Sequence, residues 1–136
     1  MKQEKSCGAV IFREDEKSRR FYLILKSTKG HTTLCKVHVE RNETEHETAE
    51  REIKEETGLA VDFLDGFREV ITYSPSRGVT KDVVFFLARV SGGTLACQPE
   101  EVADARFLPF DPALAALDHA SDRAVLQEAH RFLGTS

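Results

Sequence analysis

Three acidic residues, Glu52, Glu55 and Glu56, stand at spacings i, i+3 and i+4 in the run Arg51-Glu52-Ile53-Lys54-Glu55-Glu56-Thr57-Gly58-Leu59. In a helix that spacing gathers all three carboxylates on one face. Like charges so placed repel, so the arrangement is either well solvated or held together by cations. Carboxylate oxygens are hard donors suited to Mg²⁺ or Mn²⁺, ions that keep part of their water shell and also bind phosphate oxygens. Arg51 can orient a neighbouring carboxylate through its planar guanidinium. For the triplet alone, a solvated Glu-rich helix face is the simpler explanation. Glu43, eight residues before Arg51, and Gly58, one residue beyond the Glu55-Glu56 pair, change the weighing. With average residue usage the whole combination arises by chance in about one chain in ten thousand.

The elements around this run must hold it in place. Residues 44–57 read as a helix that opens on a capping box, Thr44-x-x-Glu47, and stops at Gly58, a suitable C′ residue. Residues 6–12 and 21–26 read as strands of a hairpin joined by a charged connection. Residues 34–39 read as a short strand. Residues 66–73 and 81–90 are β-rich and flank a Ser-Pro-Ser-Arg-Gly turn. Val83 to Leu87 form an apolar run suited to a strand buried on both faces. Residues 106–108 add a last short strand. A second helix is expected to start with Asp111 as N-cap and Pro112 at N1, and a third at Ser121. The third carries Val125, Ala129, Phe132 and Leu133 as a core-packing stripe. These elements predict an α/β (α+β) fold, an α/β/α layering around a mixed central β-sheet.

Composition excludes several classes. The chain has 136 residues, 40% of them hydrophobic and 31% charged, which suits one globular domain spanning residues 1–136. A formal net charge of -4 argues against a non-specific nucleic-acid binder while leaving room for a local basic pocket. No segment is long and apolar enough for a membrane span or a signal-peptide core, so a cytoplasmic protein with no membrane partner is expected. Cys7, Cys35 and Cys97 lack metal-ligand spacing and are expected to be reduced thiols, Cys7 and Cys97 as small core or strand residues. Oligomeric state is not readable from the sequence.

The glutamate run resembles the Nudix family, whose box has Gly, five residues, Glu, seven residues, Arg-Glu, an aliphatic residue, one residue, Glu-Glu, one residue, Gly and an aliphatic residue. The chain matches at Glu43, Arg51, Glu52, Ile53, Glu55, Glu56, Gly58 and Leu59. Over most of its length it is similar to the asymmetric diadenosine tetraphosphate hydrolases. Ser6-Cys7-Gly8-Ala9, Lys36-Val37-His38-Val39-Glu40, Gly66-Phe67, Tyr73, Lys81, Glu101 and Ala129-His130-Arg131-Phe132-Leu133 carry that likeness. The resemblance implies Glu52, Glu55, Glu56, Glu101 and the carbonyl of Lys36 as metal contacts, with Glu52 or else Glu55 as the catalytic base. It implies Lys36, His38, Tyr73 and Lys81 as substrate contacts, Glu43, Arg51 and Gly58 as supports, and Mg²⁺ or Mn²⁺ as cofactor. The implied reaction is metal-assisted hydrolysis of a small-molecule nucleotide such as diadenosine tetraphosphate, to ATP and AMP.

The chain departs from the family's Trp-x-x-Pro-Lys-Gly-His run, where it has Thr32-Thr33-Leu34-Cys35-Lys36-Val37-His38, and Asn42 stands where relatives have Gly. Asn tolerates positive φ, whereas a β-branched Val37 would be strained there. Cys35 also lacks the fixed φ of a proline. Two alternatives therefore stay open: a hydrolase of another nucleoside diphosphate derivative or an RNA 5′-triphosphate end, and a nucleotide-binding module with weak or lost catalysis.

Overall fold

The computed structural model describes residues 2–38, 45–96 and 102–134. Its elements, in order, are β1 (Lys2–Glu14), β2 (Arg20–Ser27), β3 (Thr32–Thr33), β4 (Cys35–His38), α1 (Glu45–Thr57), β5 (Leu59–Phe63), β6 (Glu69–Ser76), β7 (Val79–Gly93), β8 (Val102–Leu108), α2 (Phe110–Ala116) and α3 (Ala120–Leu133). The eight strands form one mixed sheet. At its centre β1 and β7 run parallel, from Lys2 opposite Val79 to Phe12 opposite Arg89. Other pairs are antiparallel. The far edge of β1 takes β4 along its first half and β2 along its second, and the far edge of β7 takes β6 and then β5.

Alternation along the two central strands divides the core in two. Cys7, Ala9 and Ile11 of β1, with Val84, Phe86 and Ala88 of β7, pack beneath Ala49 and Ile53 of α1. Val10, Phe12, Val83, Phe85 and Leu87 point the other way, against Ala113, Leu117, Val125, Leu126 and Ala129 of the α2–α3 layer. The run Val83 to Leu87 is thus buried on both faces, and the layering is α/β/α as expected. Each fully buried large aliphatic side chain contributes about 1.5–3 kcal/mol of transfer free energy.

The β1–β2 connection is built by Asp15. Its Oδ1 accepts from the amides of Lys17 (2.9 Å) and Arg19 (2.8 Å), and its Oδ2 from Arg19 Nε (2.7 Å). At the opposite wall the Tyr22 hydroxyl shares a 2.8 Å hydrogen bond with His130 Nδ1, and the His130 ring stacks on Phe110 at 3.9 Å. Burial, and secondarily Arg20, hold the His130 pKa below its usual value.

Several sequence expectations are corrected. The second helix starts at Phe110 with Pro109 as N-cap, so Asp111 sits inside the first turn and caps nothing. The third starts at Ala120 with His119 as N-cap, placing Ser121 one residue inside. Phe132 is 46% exposed, its ring edge-on to Phe67, so it stands outside the core stripe. Strands β3 and β5 were not anticipated. The capping Thr44, together with Asn42 and Cys97, lies outside the described residues.

Candidate active site on helix α1

Helix α1 is seated by Ala49 and Ile53, one turn apart and both 1% exposed. Its end is fixed tightly. Thr57 Oγ1 donates to the Ile53 carbonyl (2.5 Å) and accepts from the Leu59 amide (3.2 Å). The Ala96 amide donates to the Thr57 carbonyl (2.8 Å). Gly58 follows at φ +76, where a Cβ would strike the Thr94 carbonyl oxygen. Only glycine turns the chain there without strain.

Seating Ile53 turns the glutamates on either side of it away from the core. Arg51 Nη1 lies 3.1 Å from Glu52 Oε1 and 3.1 Å from Glu55 Oε2. One nitrogen therefore draws two carboxylates together and offsets their repulsion. Such exposed pairs are worth about 0–1 kcal/mol, so they organise the site more than they stabilise the fold. The Glu52 side chain is 18% exposed and that of Glu55 52%, which makes Glu52 the more shielded of the two. Glu56 is partly buried on the next position. Among the described residues no three acidic, histidine or cysteine side chains are gathered closely enough to hold a metal ion. The donor chemistry of Glu52, Glu55 and Glu56 nevertheless suits a hard divalent cation, with Glu52 and Glu55 already brought together by Arg51.

The other candidates are distributed along the sheet. Strand β4 pairs with β1 so that His38 stands opposite Ser6, Val37 opposite Cys7, Lys36 opposite Gly8 and Cys35 opposite Ala9. Tyr73 stands opposite Lys81 on the β6–β7 ladder. Ser6 in turn stands opposite Val83, two residues from Lys81. His38, Tyr73 and Lys81 thus come to the same end of the sheet, the end from which the chain continues to α1. Glu43 and Glu101 lie outside the described residues.

Lys36 is placed differently from what a phosphate contact requires. Its Nζ is 2.9 Å from Asp122 Oδ1 and 6.0 Å from the centre of the Phe85 ring, on the α3 side of the sheet. Alternation explains this: Cys35 joins the core under α1, while Leu34 joins the core under α3. The ammonium is engaged by a carboxylate, away from the α1 face. The Lys36 carbonyl is a separate matter, since it belongs to the main chain of β4. Val37 is an ordinary strand residue, because Ser18 is the sole non-glycine with positive φ among the described residues. The strain anticipated for a branched side chain at that position does not arise.

Sequence reasoning missed Asp122, a fully buried carboxylate in the first turn of α3. A signal was present. Asp122 falls on the stripe Asp122, Val125, Leu126, Ala129, the buried face of an amphipathic helix, where a charge requires a partner. Between β2, β8 and α2 lies a cavity of about 540 Å³ bordered by Lys26, Thr32, Asp104 and Arg106, of a size that holds small ligands. It does not include the α1 glutamates.

The chain thus lays a helix carrying Arg-Glu and Glu-Glu on a mixed sheet and closes it with a left-handed glycine. The chain belongs to the Nudix family, whose domain model matches residues 2–129. The asymmetrical bis(5′-nucleosyl)-tetraphosphatase of Mus musculus is 32% identical over 140 residues, covering 95% of this chain and 95% of the mouse protein. The Rattus norvegicus counterpart is 33% identical over the same span. Among solved structures, a C. elegans Ap4A hydrolase binary complex superposes with a TM-score of 0.85 at 25% identity, over 96% of this chain and 97% of that one. Nudix hydrolases generally use divalent metals such as Mg²⁺ and bind small nucleotide substrates. No helix among the described residues is long and apolar enough to cross a membrane.

Proposed function

We propose that the chain hydrolyses a phosphoanhydride bond in dinucleoside polyphosphates, diadenosine tetraphosphate being cleaved to ATP and AMP. The observation that carries this reading is the Arg51-centred pair of carboxylates, Glu52 and Glu55, on the helix where the family holds its metal. Similarity to the mouse and C. elegans enzymes over nearly the whole chain supports the substrate class.

Bound Mg²⁺ or Mn²⁺ would neutralise phosphate oxygens and lower the pKa of a coordinated water. Glu52, Glu55 and Glu56 are the side chains to hold it, with the Lys36 carbonyl and Glu101 as further contacts. The chain's own groups do the rest. Glu52, the more shielded carboxylate, takes the proton of the attacking water, with Glu55 as the alternative base. Arg51, 3.1 Å from each, keeps both carboxylates oriented. Lys81, Tyr73 and His38, at one end of the sheet, hold the phosphate chain and a nucleobase. Water adds across the P–O–P link: its oxygen bonds to one phosphorus, the bridging oxygen leaves with the other nucleotide, and the second water proton goes to solvent. A silent binding module drew support from a strained Val37; its place in the β1–β4 ladder removes part of that support.

The test is incubation with diadenosine tetraphosphate and Mg²⁺ with chromatography of the products. ATP plus AMP in equal amounts is expected. Two ADP molecules, or an intact substrate beside tight nucleotide binding, would overturn the reading.

A further inference from the structure

Asp122 carries a charge where the helix pattern asks for an apolar side chain. It shares its stripe with Val125, Leu126 and Ala129, and none of its surface reaches solvent. A buried carboxylate in such a place is costly unless it is paired. Its pairing is specific. Oδ1 lies 2.9 Å from Lys36 Nζ, and Oδ2 accepts from the Leu34 amide at 3.4 Å. Both partners belong to the segment that becomes β4.

Three further contacts join the same two regions. The Thr32 amide donates to Asp118 Oδ2 at 2.8 Å, and the Thr32 carbonyl accepts from the Asp118 amide at 3.2 Å. The His31 ring stacks over that of His119, centroids 6.0 Å apart. Residues 118–122, the corner between α2 and α3, thus grip residues 31–36 at four successive places. That segment leads through β4 towards α1, and it is where the chain has Cys35 in place of a ring-constrained proline.

We propose that Asp122 is a positioning residue for the metal site. By holding the Lys36 ammonium and the Leu34 amide it sets the placement of β4, and with it the Lys36 carbonyl. This rests on the reading of α1 as the metal-holding helix.

Asp122→Asn tests it, because the amide keeps the shape and an acceptor for Leu34 while removing the charge that holds Lys36. Wild type and D122N are titrated calorimetrically with Mn²⁺ in the presence of a non-hydrolysable nucleotide analogue. They are also compared in amide exchange over residues 32–38 and in steady-state kinetics below the melting temperature. The expected result is Mn²⁺ affinity about tenfold weaker or more, as for other groups that orient metal ligands. Exchange becomes faster at residues 34–38, and kcat falls by a larger factor than KM rises. Lys36→Met shifts the same readouts, and the double variant is no worse than either single one, as for two residues acting as a pair. If D122N does not fold, the apolar pair K36M/D122L carries the test with the same expectation. Val125→Ala, one turn further along, lowers stability and leaves Mn²⁺ affinity unchanged. Wild-type affinity and kcat in folded D122N would overturn the positioning role alone. A wild-type chain that takes up no Mn²⁺ would overturn the metal reading of α1 and this proposal with it.

Discussion

Arg51 sits where a single nitrogen serves two carboxylates, so removing either carboxylate changes the charge seen by the other. Glu52→Gln is expected to lower kcat by a factor of about 100 or more, the scale of general-base catalysis. Glu55→Gln should lower it less, in line with its greater exposure. Glu56→Gln should reduce metal-dependent turnover sharply while the melting temperature stays near that of the wild type, since partly exposed carboxylates add little to stability. Rates at saturating Mg²⁺, read beside thermal melts, check all three. An unchanged rate in the Glu56 variant would take that residue out of the site. His130 gives a pH prediction of another kind. Its folded-state pKa lies below that of the unfolded chain, first through burial and then through Arg20. The unfolded chain therefore binds more protons in mild acid. The stability contributed by the neutral ring is complete above roughly pH 6.5 and drains away as pH falls through the folded value. Melting temperatures measured between neutral and mildly acid pH should decline, and His130→Gln should flatten that part of the curve.

The elements α1, β4 and β1 place the residues, and at Gly8 strand β1 packs closely against both β4 and β7. Gly8 stands opposite Lys36 on one side and Phe85 on the other. A Cβ there would lie 2.6 Å from the Cys35 carbonyl oxygen and 2.6 Å from Phe85 Cε1. Gly8→Ala should force β4 off β1 and cost about 1–3 kcal/mol, the range of overpacked cores. It should also weaken Mn²⁺ binding, because β4 leads towards α1; denaturant melts and calorimetry read the two effects separately. Much at this scale was legible in the sequence. The end of helix α1 at Gly58 was written in glycine chemistry, and the two-faced burial of β7 in the apolar run Val83 to Leu87. Strand β5 was not legible because its five residues follow the helix stop directly, with an alternation too short to stand out. The Asp111 cap failed because Pro109 and Phe110 start α2 earlier, with Phe110 drawn in by stacking on His130. Of the candidate site, the gathering of Glu52 and Glu55 on α1 was legible from local spacing, and what depends on distant partners was not. The Lys36–Asp122 contact joins residues far apart in the chain, which no local pattern announces.

At the scale of the whole molecule, the sheet has an apolar layer on each face, and its centre tolerates little loss of volume. Leu87, fully buried on β7 beneath α3, should cost about 2–5 kcal/mol when truncated to Ala, by lost transfer energy and the cavity left behind. Chemical denaturation measures this directly. Because Leu87 faces away from α1, the affinity for Mn²⁺ should survive in the folded fraction.

The parallel alignment of Lys2–Glu14 with Val79–Gly93 reaches beyond stability. A ribosome releases the first of these segments long before the second. During that interval the opening strand carries an edge with no lasting neighbour, and such edges invite pairing between nascent chains. Closing the centre of the sheet requires a long loop to be drawn in first, which slows folding relative to proteins dominated by local contacts. The centre of the sheet should therefore close only after residue 89 has emerged, and this step should be sensitive to translation speed and chaperone supply.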